Sequence, residues 1–262
     1  MLATNIKKRN STKVLVVGSM KQSKNSFIHR LKPSLSVIYK WRLVGILESE
    51  AQWIISTLQH FYHLINNKLK WEDETLFLAI EIFEKYSTKS SIGAAIPASR
   101  RKTSLLIIAA TCLWIASKFC EVDKVNSSTI CNVLQTYKEF TLTHNETKRR
   151  LIYTEKKVLC ELDFNIAGYR TMEYWRVQYC VCNFNCVSSK DEMLEYSRLL
   201  LWKLLKVYGK VKTYTNQEIG CTAVVMAISN VNERNVFINS LEVSLQKRVY
   251  IFLMELVRLF SF

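Results

Sequence analysis

Lys118 and Glu155 are charged residues set in stretches that otherwise read as apolar helix faces. Lys118 ends a run with no polar side, in Ala116-Ser117-Lys118-Phe119, and Glu155 lies one helical turn after Leu151 and one before Leu159. An ammonium or carboxylate on a buried face is costly unless it is paired, so each of the two can supply the other's partner. The alternative is that Lys118 snorkels to solvent and Glu155 sits at the edge of its stripe.

Other reactive residues do not assemble in the sequence. Cys180, Cys182 and Cys186 invite a zinc site, but structural zinc takes four ligands and no nearby histidine or fourth cysteine completes the set. Packed thiols are expected there instead. The four histidines, His29, His60, His63 and His144, have no consistent nucleophile or carboxylate partners. His60 and His63 stand three apart on one helix and read as surface residues rather than metal ligands. Val14 to Lys21 has the outline of a strand entering a phosphate loop, yet lacks the second glycine and the Gly-Lys-Ser/Thr ending that form the cradle. The sequence thus assigns no catalytic residue, no metal and no cofactor, and no enzyme is expected.

The elements that must position Lys118 and Glu155 are helices. Six glycines and two prolines in 262 residues disfavour turn-rich β architectures and favour long helices on short loops. Ile54, Leu58, Phe61, Tyr62 and Ile65 make one face of a helix over 49–65. Asp73 is a candidate N-cap for the next, whose stripe is Leu76, Ala79, Ile80, Phe83 and Tyr86, with Glu81, Glu84 and Lys85 largely off it. After a loop at 90–99, the stretch 101–119 is apolar on every side, the mark of a helix enclosed by others. Ser127 or Ser128 can cap a fourth helix, and Thr143 with Glu146 forms a capping box for a fifth. A second half opens at Gly168, with a capping box at Ser189 and Glu192 and further helical patterns at about 216–229 and 239–260. The fold class is all-α: a five-helix bundle over 48–168, then a second, divergent bundle over 169–262.

Charge is distributed unevenly. The chain carries +15, and residues 1–47 hold ten Lys and Arg with no acid, so this stretch is expected to be a mobile basic arm. Lys7, Lys8, Arg9 and Lys13 begin it; a nuclear-import signal, a nucleic-acid contact and a solvated tail all remain open readings. Eight scattered cysteines without a signal peptide predict reduced thiols inside the cell. The longest apolar run, Leu105 to Ala116, is too short to span a bilayer, and no membrane partner is expected.

Three segments in order, T-L-F-L-A-I-E-I-F-E-K-Y (75–86), R-R-K-x-S-L-L-x-x-A-A-T-C-x-x-I-A-S-K-F (100–119) and Y-T-E-K-K-V-L-C-E-L-D-F-N-I (153–166), resemble the cyclin box. The resemblance implies a bundle that docks on the small lobe of a cyclin-dependent kinase and positions its regulatory helix. It further implies that Lys118 and Glu155 are the contact pair for that helix. Glu84-Lys85 stands where many cell-cycle cyclins have Asp-Arg, and Ala51-Gln52-Trp53-Ile54-Ile55 replaces an arginine-bearing docking patch, so substrate docking there is not expected. The stretch 126–135 and the wording of 79–86 are most similar to the divergent cyclin relatives of meiotic crossover formation. That likeness implies a nuclear, chromosome-associated regulator of recombination. The rival expectation is a kinase-independent scaffold for recombination proteins or DNA, or a divergent cell-cycle or viral cyclin.

Overall fold

The computed structural model describes residues 48–90, 96–138, 140–166, 189–211 and 214–260, together with single positions between 177 and 184. The basic arm, with Lys7, Lys8, Arg9 and Lys13, lies outside the described residues, as do Cys182, Cys186, His29 and Val14 to Lys21. Among the described residues every regular element is a helix, so the all-α expectation holds. In the first half these are α1 (Glu48–Leu69), α2 (Asp73–Ser90), α3 (Ala98–Cys120), α4 (Ser127–Gln135) and α5 (His144–Glu161). The second half has α6 (Lys190–Leu205), α7 (Tyr208–Val211), α8 (Asn216–Ala227), α9 (Val231–Asn239) and α10 (Val243–Phe260).

The enclosed helix is α3. Every residue from Leu105 to Ser117 is buried, and α1, α2, α4 and α5 all pack against it. Its 23 residues are long and apolar enough to cross a membrane by length and composition, although the apolar run inside it, Leu105 to Ala116, is shorter than a span. Most of that apolar surface is covered by the surrounding helices. Burying such side chains is worth roughly 1.5–3 kcal/mol each, so α3 is the main cohesive element of this half. The second half is built the same way on a smaller scale: α6, α9 and α10 pack on α8, where Ile219 and Cys221 through Val225 are buried.

The halves meet through α1, α6 and α7. The Gln52 amide donates to the Leu205 carbonyl at 3.0 Å and accepts from the Gly209 N–H at 3.1 Å. Both ends of one side chain therefore hold the α6–α7 corner against α1. The Trp202 indole donates to Asp73 Oδ2 at 2.7 Å and stacks on His63 with ring centroids 5.4 Å apart.

Several local expectations change. Asp73 is the first residue of α2 rather than its cap, and its carboxylate receives Trp202 and the Tyr62 hydroxyl. Asn126, not Ser127 or Ser128, caps α4 by accepting from the Thr129 N–H, since an Asn side chain reaches the third residue of the helix as well as serine does. Thr143 and Ser189 cap α5 and α6 by accepting from the Glu146 and Glu192 N–H groups, but the return bond of the expected capping boxes is not seen among the described residues, and the Glu146 carboxylate pairs with Arg150 instead. A reciprocal capping box forms at Thr215 and Glu218, which the sequence reading missed. The helix expected over 239–260 begins only at Val243, and a separate helix not expected from the sequence, α9, precedes it. Glu81 is buried, not off the stripe, because α2 is covered on nearly all sides. Its carboxylate is paired with Lys85 one turn on, and burial holds the Lys85 ammonium below its ordinary pKa although Glu81 opposes the shift.

Candidate functional site

Lys118 lies in the last turn of α3 and Glu155 in the middle of α5, two helices that pack directly on each other. Their side chains meet: Lys118 Nζ is 2.5 Å from Glu155 Oε1. Of the two side chains, 35% and 17% stay exposed, so the pair is reachable from solvent. The ammonium also sits 3.6 Å from the centre of the Trp114 ring, one turn back on α3. Trp114 is fixed in turn, its indole donating to the Val125 carbonyl at 2.8 Å. A cation held between a carboxylate and an aromatic face has lost much of its side-chain freedom before any partner arrives. One bond exhausts neither group, since an ammonium has three donors and a carboxylate about four acceptor positions.

Apolar side chains stand exposed beside this pair in sequence. Phe119, next to Lys118, is 51% exposed, and Ile152, one turn before Glu155, is 50% exposed. At the end of α5, Asp163 and Phe164 both take left-handed backbone conformations, with φ of 53° and 54°. For a bulky aromatic this costs on the order of 1–2 kcal/mol. The turn is held by the Phe164 N–H to the Leu159 carbonyl at 2.8 Å and the Asp163 N–H to the Cys160 carbonyl at 3.0 Å, the double closure of a Schellman motif. Lys89 at the end of α2 ties down the same corner, reaching the Glu161 carbonyl at 2.8 Å and the Asp163 carboxylate at 2.9 Å. The result of this constraint is a Phe164 ring 66% exposed to solvent. A strained, clamped turn presenting an aromatic ring outward is the geometry of a contact surface.

The sequence reading named the charged pair and missed Trp114, Phe119, Ile152 and Phe164. Solvent exposure separates Phe119, Ile152 and Phe164 from the core, and a run of apolar letters does not reveal it; buried Trp114 matters through its contact with Lys118, which only the fold brings about. His60 and His63 are exposed; His60 meets the Tyr137 ring edge-on at 5.6 Å and His63 stacks on Trp202. No cluster of His, Cys, Asp and Glu that could hold a metal occurs among the described residues. Cys180 faces the Cys221 thiol at 3.9 Å in the core of the second half, and Cys160, expected within an apolar stretch, is exposed.

No curated protein matches this chain. Residues 51–167, from the first turn of α1 to just beyond the Phe164 corner, match the family model described as the cyclin N-terminal domain, so this part of the chain is a cyclin-like domain.

Proposed function

We propose that this protein is a non-catalytic regulator that binds a cyclin-dependent kinase through the surface centred on Lys118 and Glu155. The observation that carries the reading is the preformed pair itself. A lysine fixed between Glu155 and Trp114, with exposed Phe119 next to it in sequence, offers charge and apolar area together, the combination found at the anchors of protein interfaces. Exposed Phe164 lies in the D-F corner that ends the third matching segment, and on this reading it is a further kinase contact. We place this activity in meiotic crossover formation, in the nucleus and on chromosomes. The support is the similarity of 79–86 and 126–135 to the crossover-associated relatives. On this reading the second half is a divergent second cyclin fold: α6, α8, α9 and α10 follow one another as α2, α3, α4 and α5 do, with a central helix and then a short one of nine residues in each set.

The test is affinity purification from germ-line tissue of the wild-type chain and of Lys118→Glu and Phe164→Ala variants, with bound proteins identified by mass spectrometry. A cyclin-dependent kinase retained by the wild type and lost from both variants is expected, with each variant's melting temperature within a few degrees of wild type. Recombination factors captured equally by all three, with no kinase, would falsify the kinase reading and leave a scaffold.

A further inference from the structure

The outer face of α5 carries a feature that the kinase surface does not use. At about 100° per residue, Arg149, Ile152, Tyr153, Lys156 and Lys157 fall on the half of the helix turned away from buried Leu151, Val158 and Leu162, and Lys148 lies at its margin. Lys148, Arg149, Lys156 and Lys157 are all exposed. The acids of this helix lie elsewhere or are engaged. Glu155 borders the face and is taken by Lys118, Glu146 is paired with Arg150 at 2.8 Å, and Glu161 lies past the basic stretch on the side facing α2. From Lys148 to Cys160 the outward half holds Arg149, Lys156 and Lys157 and no carboxylate, and Lys148 adds a fourth cation at the margin it shares with Glu155.

The four cations form two pairs, seven to nine residues apart, spanning about 14 Å along the axis. Between them stands Tyr153, 71% exposed, with Ile152 beside it. A solvated face kept only for solubility has no use for an open aromatic ring, and such a face usually mixes its charges. Cations that track a phosphate backbone on both sides of an exposed aromatic platform are what single-stranded nucleic acid requires: the ring stacks a base and the flanking ammonium and guanidinium groups hold its phosphates.

We infer that the outer face of α5 is a binding site for single-stranded nucleic acid, with Tyr153 as the stacking platform and Lys148, Arg149, Lys156 and Lys157 as the phosphate contacts. The site adjoins the Lys118–Glu155 surface without including it. It stands independently of the kinase reading, because Lys118→Glu leaves all five residues in place. It is also separate in sequence from the basic arm.

The experiment uses the full chain and a fluorescein-labelled twenty-nucleotide oligo-dT, with a duplex of equal length for comparison. Binding is followed by anisotropy across a range of salt. Tyr153→Ala should weaken single-strand binding about ten-fold while Tyr153→Phe retains it. The triple variant Arg149→Ala, Lys156→Ala, Lys157→Ala should reduce the slope of log affinity against log salt by about 2, since each contact to a single strand contributes roughly 0.7. Ultraviolet cross-linking of the wild type to an oligonucleotide carrying 5-iodouracil should yield an adduct on the peptide containing Tyr153. Cross-links confined to residues 1–47, unchanged affinity and salt slope in the variants, or a duplex bound as tightly as the single strand would each overturn the assignment.

Discussion

α5 and α10 are both 18 residues long and both pack on the central helix of their own half, yet their outer faces differ in make-up, α5 carrying more cations and α10 more apolar side chains. α5 turns Lys148, Arg149, Lys156 and Lys157 to solvent. α10 turns out Val243, Tyr250, Met254 and Val257, each at least half exposed. The inner faces agree: Leu151, Val158 and Leu162 in α5, and Leu245, Val249, Phe252 and Leu256 in α10. α5 and α10 are therefore each specified by one narrow inner stripe, and the remaining circumference of these two helices can carry different interactions without altering the fold.

If the inner stripes do equal work, emptying either should have the largest effect available. Leu151→Ala is expected to cost roughly 2–5 kcal/mol and Phe252→Ala roughly 3–5 kcal/mol, through lost burial and the cavity left behind. Urea unfolding of the two variants measures both. A Phe252→Ala cost under about 1 kcal/mol would break the comparison, because it would mean that the second half is not packed as the first is.

Alkaline pH should separate the halves next. In the first, burial pushes the Tyr86 and Tyr137 phenols and the Cys120 thiol up to about 12, and raises Tyr62, Cys112 and Cys131 as well. In the second, Tyr214 is raised, first by burial and then by Glu255. A folded state that holds its protons above the unfolded pKa is fully stabilised below about pH 9. It loses stability as pH rises from there to about 12, by up to ~1.4 kcal/mol per group per pH unit. The fall in melting temperature between about pH 8 and 10.5 should shrink in a Tyr86→Phe, Tyr137→Phe variant, and shrink less in Tyr214→Phe. Equal effects would show that alkaline loss is shared by the two halves.

The sequence made the inner stripes legible and left the outer faces mute. Periodicity located α1, α2, α3 and α5 because each has a long run of residues that must be buried. It also singled out Lys118 and Glu155, since a charge inside an apolar pattern is conspicuous even when its partner is 37 residues away. Missed were features whose meaning depends on a neighbour brought in by the fold. Glu81 is buried because other helices cover α2, and Asp73 is drawn away from capping by Trp202, 129 residues distant. α9 was overlooked because its nine residues bury only Phe237 and Ile238, too few for a stripe. Phe119 and Phe164 carry the letters of core residues and lie outside the core.

α5 and α10 each contribute an arginine to an Arg–Glu pair, within α5 in the first case and across to α8 in the second, and the pairs should differ in worth. Arg150 and Glu146 are both 41% exposed on one helix, so Arg150→Ala should cost no more than about 0.5 kcal/mol. Arg248 reaches from α10 to Glu218, whose side chain is only 9% exposed, and also lies 4.9 Å from the Tyr214 ring centre. Removing Arg248 leaves a buried carboxylate with the Thr215 N–H at 2.8 Å as its remaining described contact, and should cost about 1–2 kcal/mol. Thermal unfolding of both variants decides; equal costs would mean that solvent reaches Glu218 as freely as Glu146.

The smallest effect should come from the outer face of α10, where it is most informative. Met254 is 60% exposed with Tyr250 and Val257 on the same stripe. A charge placed there meets water and not the core, so Met254→Glu should change stability by no more than about 0.5 kcal/mol. An apolar stripe left in water still binds apolar probes and promotes self-association. The variant should therefore show weaker fluorescence with an anilinonaphthalene dye and a smaller hydrodynamic radius at high concentration, with its melting temperature unchanged. A loss of more than about 2 kcal/mol would instead make Met254 part of the packed interior. The contrast between α5 and α10 would then be one of burial, with the second half closed by a helix that has two inner faces rather than one.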